Sequence, residues 1–247
     1  MNPNSITEDT LFDGTLICCQ NREGYRFSVD SVLLAHFVSP DSGDTILDIG
    51  TGCGVISLIL AYRWRNIIDL VCGLEIQTSL ASLTEKNFAR NNFGDVCRIV
   101  SGDVKTPLVY FQPESFSKVV CNPPFFKPGT GRKSKNSEAL IARHQIEASL
   151  DDFISASAIV LKNRGYAYFI YPANGLIELL ALCEKKHLEP KKIQMVYSYP
   201  DPEKNAELVL IKCLKNGGKD VEVMPPFYIY GEKNGDYSAP MLALYKG

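Results

Sequence analysis

The sequence predicts a doubly wound α/β fold on a mostly parallel, seven-stranded sheet that closes in a C-terminal antiparallel hairpin. Three observations carry that expectation. From residue 45 onward, short apolar runs alternate with helix-like segments, the pattern of βαβ units. A glycine-rich turn, Gly50-Thr51-Gly52-Cys53-Gly54, joins the first run to the helix after it. The last two apolar runs follow one another with no helix between them, so they pair antiparallel.

The elements follow in order. "TILDIG" (45–50) is an apolar run between Asp44 and the glycine turn, hence a buried first strand, and "VISLILAYRW" (55–64) has the apolar density of a helix. "IDLVCGLE" (68–75) is the second strand. "TSLASLTEKNFARNN" (78–92) is a helix that opens on Thr or Ser and stops at Asn-Asn-Phe-Gly. "VCRIVSGD" (96–103) and "KVVCN" (118–122) are the third and fourth strands. "LDDFISASAIVLKN" (150–163) is a helix with Asp or Ser caps, "GYAYFIYP" (165–172) the fifth strand, and "GLIELLALCEKK" (175–186) a further helix. "KIQMVYSYP" (192–200) and "AELVLIKCLK" (206–215) are the closing pair. Upstream, 25–38 reads as a capped helix in which Ser28 or Asp30 leads an apolar run. Segment 123–147 shows no clear element, and connections of that length in compact domains are usually functional or mobile. The organisation expected is one domain: a cap segment 1–44, a core 45–215 and a tail 216–247.

Composition narrows the function classes. A chain of 247 residues is long enough for one sizeable core. At 45 % hydrophobic and 22 % charged it is balanced like a soluble globular protein, and no apolar run reaches the ~18 residues of a membrane-spanning helix. The polar start "MNPNSITEDT" is no secretory leader. A net charge of -2 gives no global nucleic-acid footprint, yet the first hundred residues are net acidic and the rest net basic. The densest basic run is "KPGTGRKSK", with Lys127, Arg132, Lys133 and Lys135 and no acid. It is a solvated loop or, given its place beside the candidate site, a contact for phosphates. None of the eight cysteines forms a C-x-x-C pair, and Cys53, Cys72, Cys97 and Cys121 sit in or beside apolar runs. They read as reduced, buried thiols of a cytoplasmic protein, with no metal site.

The first strand carries the clearest ligand signal. Asp48, Gly50, Gly52 and Gly54 form D-x-G-x-G-x-G at a strand-to-helix turn, where glycine lets the backbone bend and a ligand approach. The dinucleotide pattern G-x-G-x-x-G would need glycine where Val55 stands, so the ligand need not be a pyrophosphate. An acid before the glycines suits a cationic ligand, and S-adenosylmethionine is a ribonucleoside with an ammonium and a sulfonium. Glu75 ends the second strand, where a carboxylate accepts both ribose hydroxyls. Asp103, after the third strand, can accept the adenine amine. Three acids at the ends of three successive strands point to one crevice.

The fourth strand ends in the same crevice with "NPPFF". Pro123 and Pro124 lack N–H donors and hold φ near ~-65°, which makes a stiff corner. The Asn122 side chain and the Pro123 carbonyl can accept the two hydrogens of one planar amino group. That grip favours pyramidalisation and aims the lone pair, so no strong base is needed before attack on a sulfonium methyl; the gain comes from alignment and fixed dipoles. Phe125 can stack on a flat substrate, as aromatic rings hold flipped-out bases. Alone, N-P-P-F is equally a strand-ending turn; after D-x-G-x-G-x-G it reads as a site.

These motifs resemble those of class I S-adenosylmethionine-dependent methyltransferases of the amino-methylating group, marked by [DN]-P-P-[FYW] and built on a Rossmann-like sheet. More closely, the chain is similar to bacterial tRNA methyltransferases acting on N6 of adenine 37 in a valine tRNA. The similarity runs through "LFDGTLICCQNREGYRFSVDSVLLAHFV" (11–38), "LDIGTGCGVISLIL", "CNPPFF" and "EALIARHQ" (138–145). It implies that Tyr25, Arg26, Phe27 and Asp30 line or cap the methionine end of the cofactor pocket. It also implies that Arg143 and His144 touch RNA or the target base; Phe126, Lys127, Arg132 and Lys133 are further candidate substrate contacts by their place after the NPPF corner, in a loop that the resemblance does not match. The expected partner is tRNA, with no membrane or metal, for a monomer or weak homodimer. Two readings stay beside it. One keeps the chemistry on another acceptor, a protein glutamine amide or a guanine N2 in rRNA; the other is a non-catalytic cofactor-binding scaffold.

Overall fold

The structure is a computed structural model that describes residues 6–22, 27–125 and 148–246. It opens with a hairpin that the sequence reading left inside an unassigned cap segment. Strands β1 (Ile6–Leu11) and β2 (Leu16–Asn21) pair antiparallel through a turn in which Phe12, Asp13 and Gly14 all have positive φ. Leu16, Cys18 and Gln20 face inward by simple alternation. Helix α1 (Val29–Phe37) follows.

The main sheet takes up β3 (Thr45–Ile49), β4 (Leu70–Glu75), β5 (Cys97–Ser101), β6 (Phe116–Cys121) and β7 (Leu161–Pro172), all parallel. Strands β8 (Leu188–Tyr197) and β9 (Leu208–Lys215) form the expected antiparallel pair, with β9 antiparallel to β7 as well. The order β8-β9-β7-β6-β3-β4-β5 is the seven-stranded sheet anticipated. Two two-residue strands, β10 (Glu222–Val223) and β11 (Phe227–Tyr228), add to β8, so nine strands join among the described residues. The tail thereby covers the sheet edge.

Helices pack on both faces. On one lie α1, α2 (Val55–Trp64) and α3 (Thr78–Arg90), with Leu34, Leu58 and Leu83 in a common core. On the other lie α4 (Leu150–Val160) and α5 (Leu176–Lys185), with Phe153, Ile154 and Leu179 against Leu47 and Phe169. The strands serve both cores by alternation: Tyr168 belongs to the first, Ala167 and Phe169 to the second. A short α6 (Ala239–Ala243) closes the described chain. Helix α4 starts on a capping box, Ser149 with Asp152, and ends at Val160 instead of the expected 163, because Leu161 already pairs with Phe116 in the sheet.

Two polar devices hold the frame. On α3, Asn87 and Asn91 at its end present their amides to the free edge of β2 like a further strand. Asn87 bonds both backbone groups of Cys19 (2.8 and 2.9 Å) and Asn91 both groups of Ile17 (2.9 and 2.7 Å). Asn87 also donates to the Cys53 carbonyl at 2.8 Å, which ties the hairpin to the glycine turn. At the opposite end of the sheet the buried Lys118 ammonium is held by Asp41 (2.8 Å) and Asp44 (2.5 Å). Seven of the eight cysteines are buried and all are free. No described helix is long and apolar enough to cross a membrane.

Candidate active site at the carboxyl ends of the strands

Because β3, β4, β5 and β6 run parallel, their carboxyl ends share one rim. Ile49 stands beside both Leu74 and Cys121, and Glu75 beside Ser101. The glycine turn, Glu75, Asp103 and Asn122 all leave the sheet there. This is the crevice in which open α/β sheets bind ligands.

The turn needs its glycines for conformation and for space. Gly50, Gly52 and Gly54 have φ of 72°, 61° and 84°, a region costing other residues roughly 1–2 kcal/mol each. A Cβ on Gly54 would also lie 2.7 Å from the Thr84 methyl on α3. Asp48 braces the same turn. Its Oδ2 accepts hydrogen bonds from the Thr51 and Ser57 hydroxyls at 2.6 and 2.8 Å. Asp48 is 0 % exposed, and burial pushes its carboxyl up to about 6 against the pull of those hydroxyls. Its Oδ1 is buried and makes no hydrogen bond among the described residues. The residue expected to meet a cationic ligand is therefore first a structural brace, with one unspent oxygen.

Glu75 is no solvated strand-end acid. It is buried; Oε2 accepts the Gly52 N–H (3.0 Å) and Oε1 the Gln77 N–H (2.9 Å). Burial raises its carboxyl and those amides pull it back. Asp103 is half-buried and shapes its own loop: Oδ1 accepts the Lys105 N–H at 2.9 Å, and its N–H donates to the Tyr110 hydroxyl at 3.3 Å. Gly102 lets that tyrosine ring lie against bare backbone, since a Cβ would come within 2.6 Å of it. Ile76, directly after Glu75, is exposed, an apolar surface beside these acids that the sequence reading did not single out.

At the end of β6, the Asn122 amide nitrogen donates to the Ser31 hydroxyl, 3.4 Å away in the first turn of α1. Ser31 is buried, and nothing in the sequence pattern joined it to Asn122. Its neighbour Asp30 is half-buried, with burial raising its carboxyl against the pull of Ser28. Phe27, partly buried, donates its N–H to the Gln20 side chain at 3.0 Å. Pro123 is buried and Pro124 exposed. Phe125 is 38 % exposed and meets Tyr171 edge-on, 5.8 Å between ring centres at 81°. Tyr171 is in turn seated on Gly175, where a Cβ would stand 2.4 Å from its ring. Arg26, Phe126, Lys127, Arg132, Lys133, Arg143 and His144, and Tyr25, lie outside the described residues.

Comparison with known proteins bears on this geometry. A tRNA1(Val) (adenine(37)-N6)-methyltransferase of Vibrio parahaemolyticus is 31 % identical over 156 residues, 63 % of this chain and 62 % of that protein. In that match the chain spans less than two thirds of the relative's length. A protein of the same name from Shewanella halifaxensis is 28 % identical over 88 % of this chain and 89 % of its own. Among solved structures, a predicted O-methyltransferase from Agrobacterium tumefaciens shares the fold, with a TM-score of 0.69 at 17 % identity over 87 % of this chain and 95 % of that one. The methyltransferase small domain model matches residues 27–168, a span that runs from the head of α1 through the glycine turn and the NPPF corner into β7. The chain belongs to the methyltransferase small domain family.

Proposed function

We propose that the protein is an S-adenosylmethionine-dependent N-methyltransferase that modifies N6 of an adenine in tRNA, position 37 of a valine tRNA. Its compartment is then the cytoplasm, and it works without a metal, as a monomer or weak homodimer. The observation that carries the reading is the Asn122 corner: an amide whose nitrogen is engaged by Ser31, with a half-open aromatic ring three residues on. The names of the relatives supply the acceptor.

The crevice fits the cofactor. It sets the Glu75 carboxylate beside a turn without side chains at Gly50, Gly52 and Gly54, braced from below by the buried Asp48. Glu75 takes the ribose hydroxyls, Asp103 the adenine amine, and Asp30 and Arg26 the methionine end. Bound there, S-adenosylmethionine supplies a methyl group on a sulfonium leaving group.

The chain's own residues do the rest. With its nitrogen on Ser31, Asn122 keeps its side-chain oxygen for a hydrogen of the acceptor amine, and the Pro123 carbonyl takes the second. An amine held by both hydrogens turns its lone pair out of conjugation. It gives up a proton only after gaining the methyl group, so no strong base is required. Fixed dipoles and alignment lower the barrier. Phe125, braced by Tyr171, stacks on the base, and Phe126 is a further substrate contact. Lys127, Arg132, Lys133, Arg143 and His144 contact the RNA backbone.

The test is methyl transfer from radiolabelled cofactor to tRNA lacking the modification, read by nucleoside mass spectrometry, with a release-factor protein and unmodified rRNA in parallel. N6-methyladenosine in valine tRNA is expected. Label in the protein or in guanosine, and none in tRNA, would replace this acceptor. Cofactor binding without transfer to anything would leave a scaffold.

A further inference from the structure

Away from the crevice, the second half of α1, strands β8 and β9, and the C-terminal segment border a half-open pocket of about 310 Å³, at the small end of the range for ligand pockets. Leu33 and Phe37 of α1, Leu210 of β9 and Phe227 of the tail give it apolar walls. Its polar members include Lys192, Lys212 and His36.

The sheet register brings the charge together. Lys192, Lys212 and Tyr168 are successive cross-strand partners on β8, β9 and β7, so they share the face that α1 covers. Lys192 pairs with Glu222 at 3.0 Å, and the neighbouring Lys118 is held by Asp41 and Asp44. Lys212 has no carboxylate within ion-pair distance among the described residues; its ammonium stands 4.0 Å from the centre of the Tyr166 ring. Burial and then the charges of Lys118 and Lys192 push that ammonium down, and Asp41, which pulls it back, is already committed to Lys118. Beside it, Tyr168 is fully buried, with its ring 5.6 Å from the Lys212 ammonium and edge-on to Phe37 at 6.2 Å. Burial raises the Tyr168 hydroxyl, and the Ser39 backbone pulls it back. His36 is neutral near pH 7, since burial lowers it to about 4, and its Nδ1–H donates to the Val32 carbonyl at 2.9 Å.

A half-buried cation among cations costs stability, and the methyl-transfer site does not use it. We infer that this pocket binds a small organic anion, with its carboxylate or sulfonate on the Lys212 ammonium and its apolar body against Leu33, Phe37 and Phe227. The walls are apolar, and the charge of the ligand completes what the fold leaves open.

The full chain is titrated with 8-anilinonaphthalene-1-sulfonate, followed by fluorescence, with octanoate as competitor. One saturable site displaced by octanoate is expected. Lys212→Met weakens it at least tenfold. Without ligand, the variant melts at or above the wild-type temperature, because it removes a charge with no carboxylate partner. Non-saturable binding, undiminished binding by Lys212→Met, or a lower melting temperature for that variant would overturn the inference; the last would make Lys212 a structural partner of Tyr166. None of these readouts depends on the methyl acceptor, so failure here and failure of the tRNA assignment are separate results.

Discussion

Asp48→Asn should change the pH dependence of stability in a direction the structure dictates. Folded Asp48 holds its proton up to about pH 6 because it is fully buried, whereas a free aspartate releases it near ~3.9. Between those values the folded state binds more protons than the unfolded one, so stability falls as pH rises. The contribution of Asp48 is neutral below pH ~4, is lost progressively through pH ~6, and leaves the folded state about 3 kcal/mol less stable above it. Asparagine abolishes that titration. Its altered bonds to Thr51 and Ser57 add an offset that does not depend on pH. The difference in unfolding free energy, variant minus wild type, should therefore climb by about 2 kcal/mol between pH ~4.5 and ~8, the rest of the change lying at lower pH. Urea unfolding followed by the fluorescence of the single tryptophan, Trp64, reads it directly. A difference that stays flat across that range would show that Asp48 ionises normally and that Oδ1 has a partner or water, and the account of the braced turn would be wrong.

Other perturbations test separate parts of the frame. Lys118→Met leaves Asp44, buried beside it, without its cation and should cost roughly 3–5 kcal/mol in urea unfolding, most of it regained in the double variant with Asp44→Asn. Gly54→Ala forces a Cβ to φ 84° and into Thr84, so calorimetry should find cofactor affinity down by about five- to thirtyfold, from roughly 1–2 kcal/mol of strain; unchanged affinity would mean the turn relaxes freely. Ser31→Ala removes the anchor of Asn122 and should lower kcat about fivefold, worth ~1 kcal/mol, while the Kd for cofactor stays put; a change in Kd alone would place Ser31 in the cofactor pocket instead.

Local signals in the sequence reached a long way. Helix 55–64 was readable to the residue because a glycine turn starts it and its apolar density is unbroken. The glycine positions were legible because each demands a left-handed backbone, a property of single residues. What depends on distant partners was not. The β1–β2 hairpin hides in a polar first strand, "ITEDTL", and its edge is satisfied by Asn87 and Asn91 some seventy residues on; Asp13-Gly14 and the alternation Leu16, Cys18, Gln20 were the overlooked signals. Strand β8 starts at Leu188, ahead of the expected 192: the ladder runs on through Pro190, which stands opposite Cys213, and a register shift takes up Lys191 before Lys192. Ser31, Tyr171 and the row Lys192–Lys212–Tyr168 acquire meaning only once the strands are in register.

The most direct test of the central claim is Asn122→Ala, measured at once for cofactor binding by calorimetry and for single-turnover methyl transfer to unmodified valine tRNA. The account predicts cofactor affinity within a few-fold of wild type and transfer reduced by about a hundred- to a thousandfold, the scale of losing a preorganised polar group at the reacting atom. Transfer at the wild-type rate with binding intact would contradict it, because the amine would then be oriented by something other than the NPPF corner.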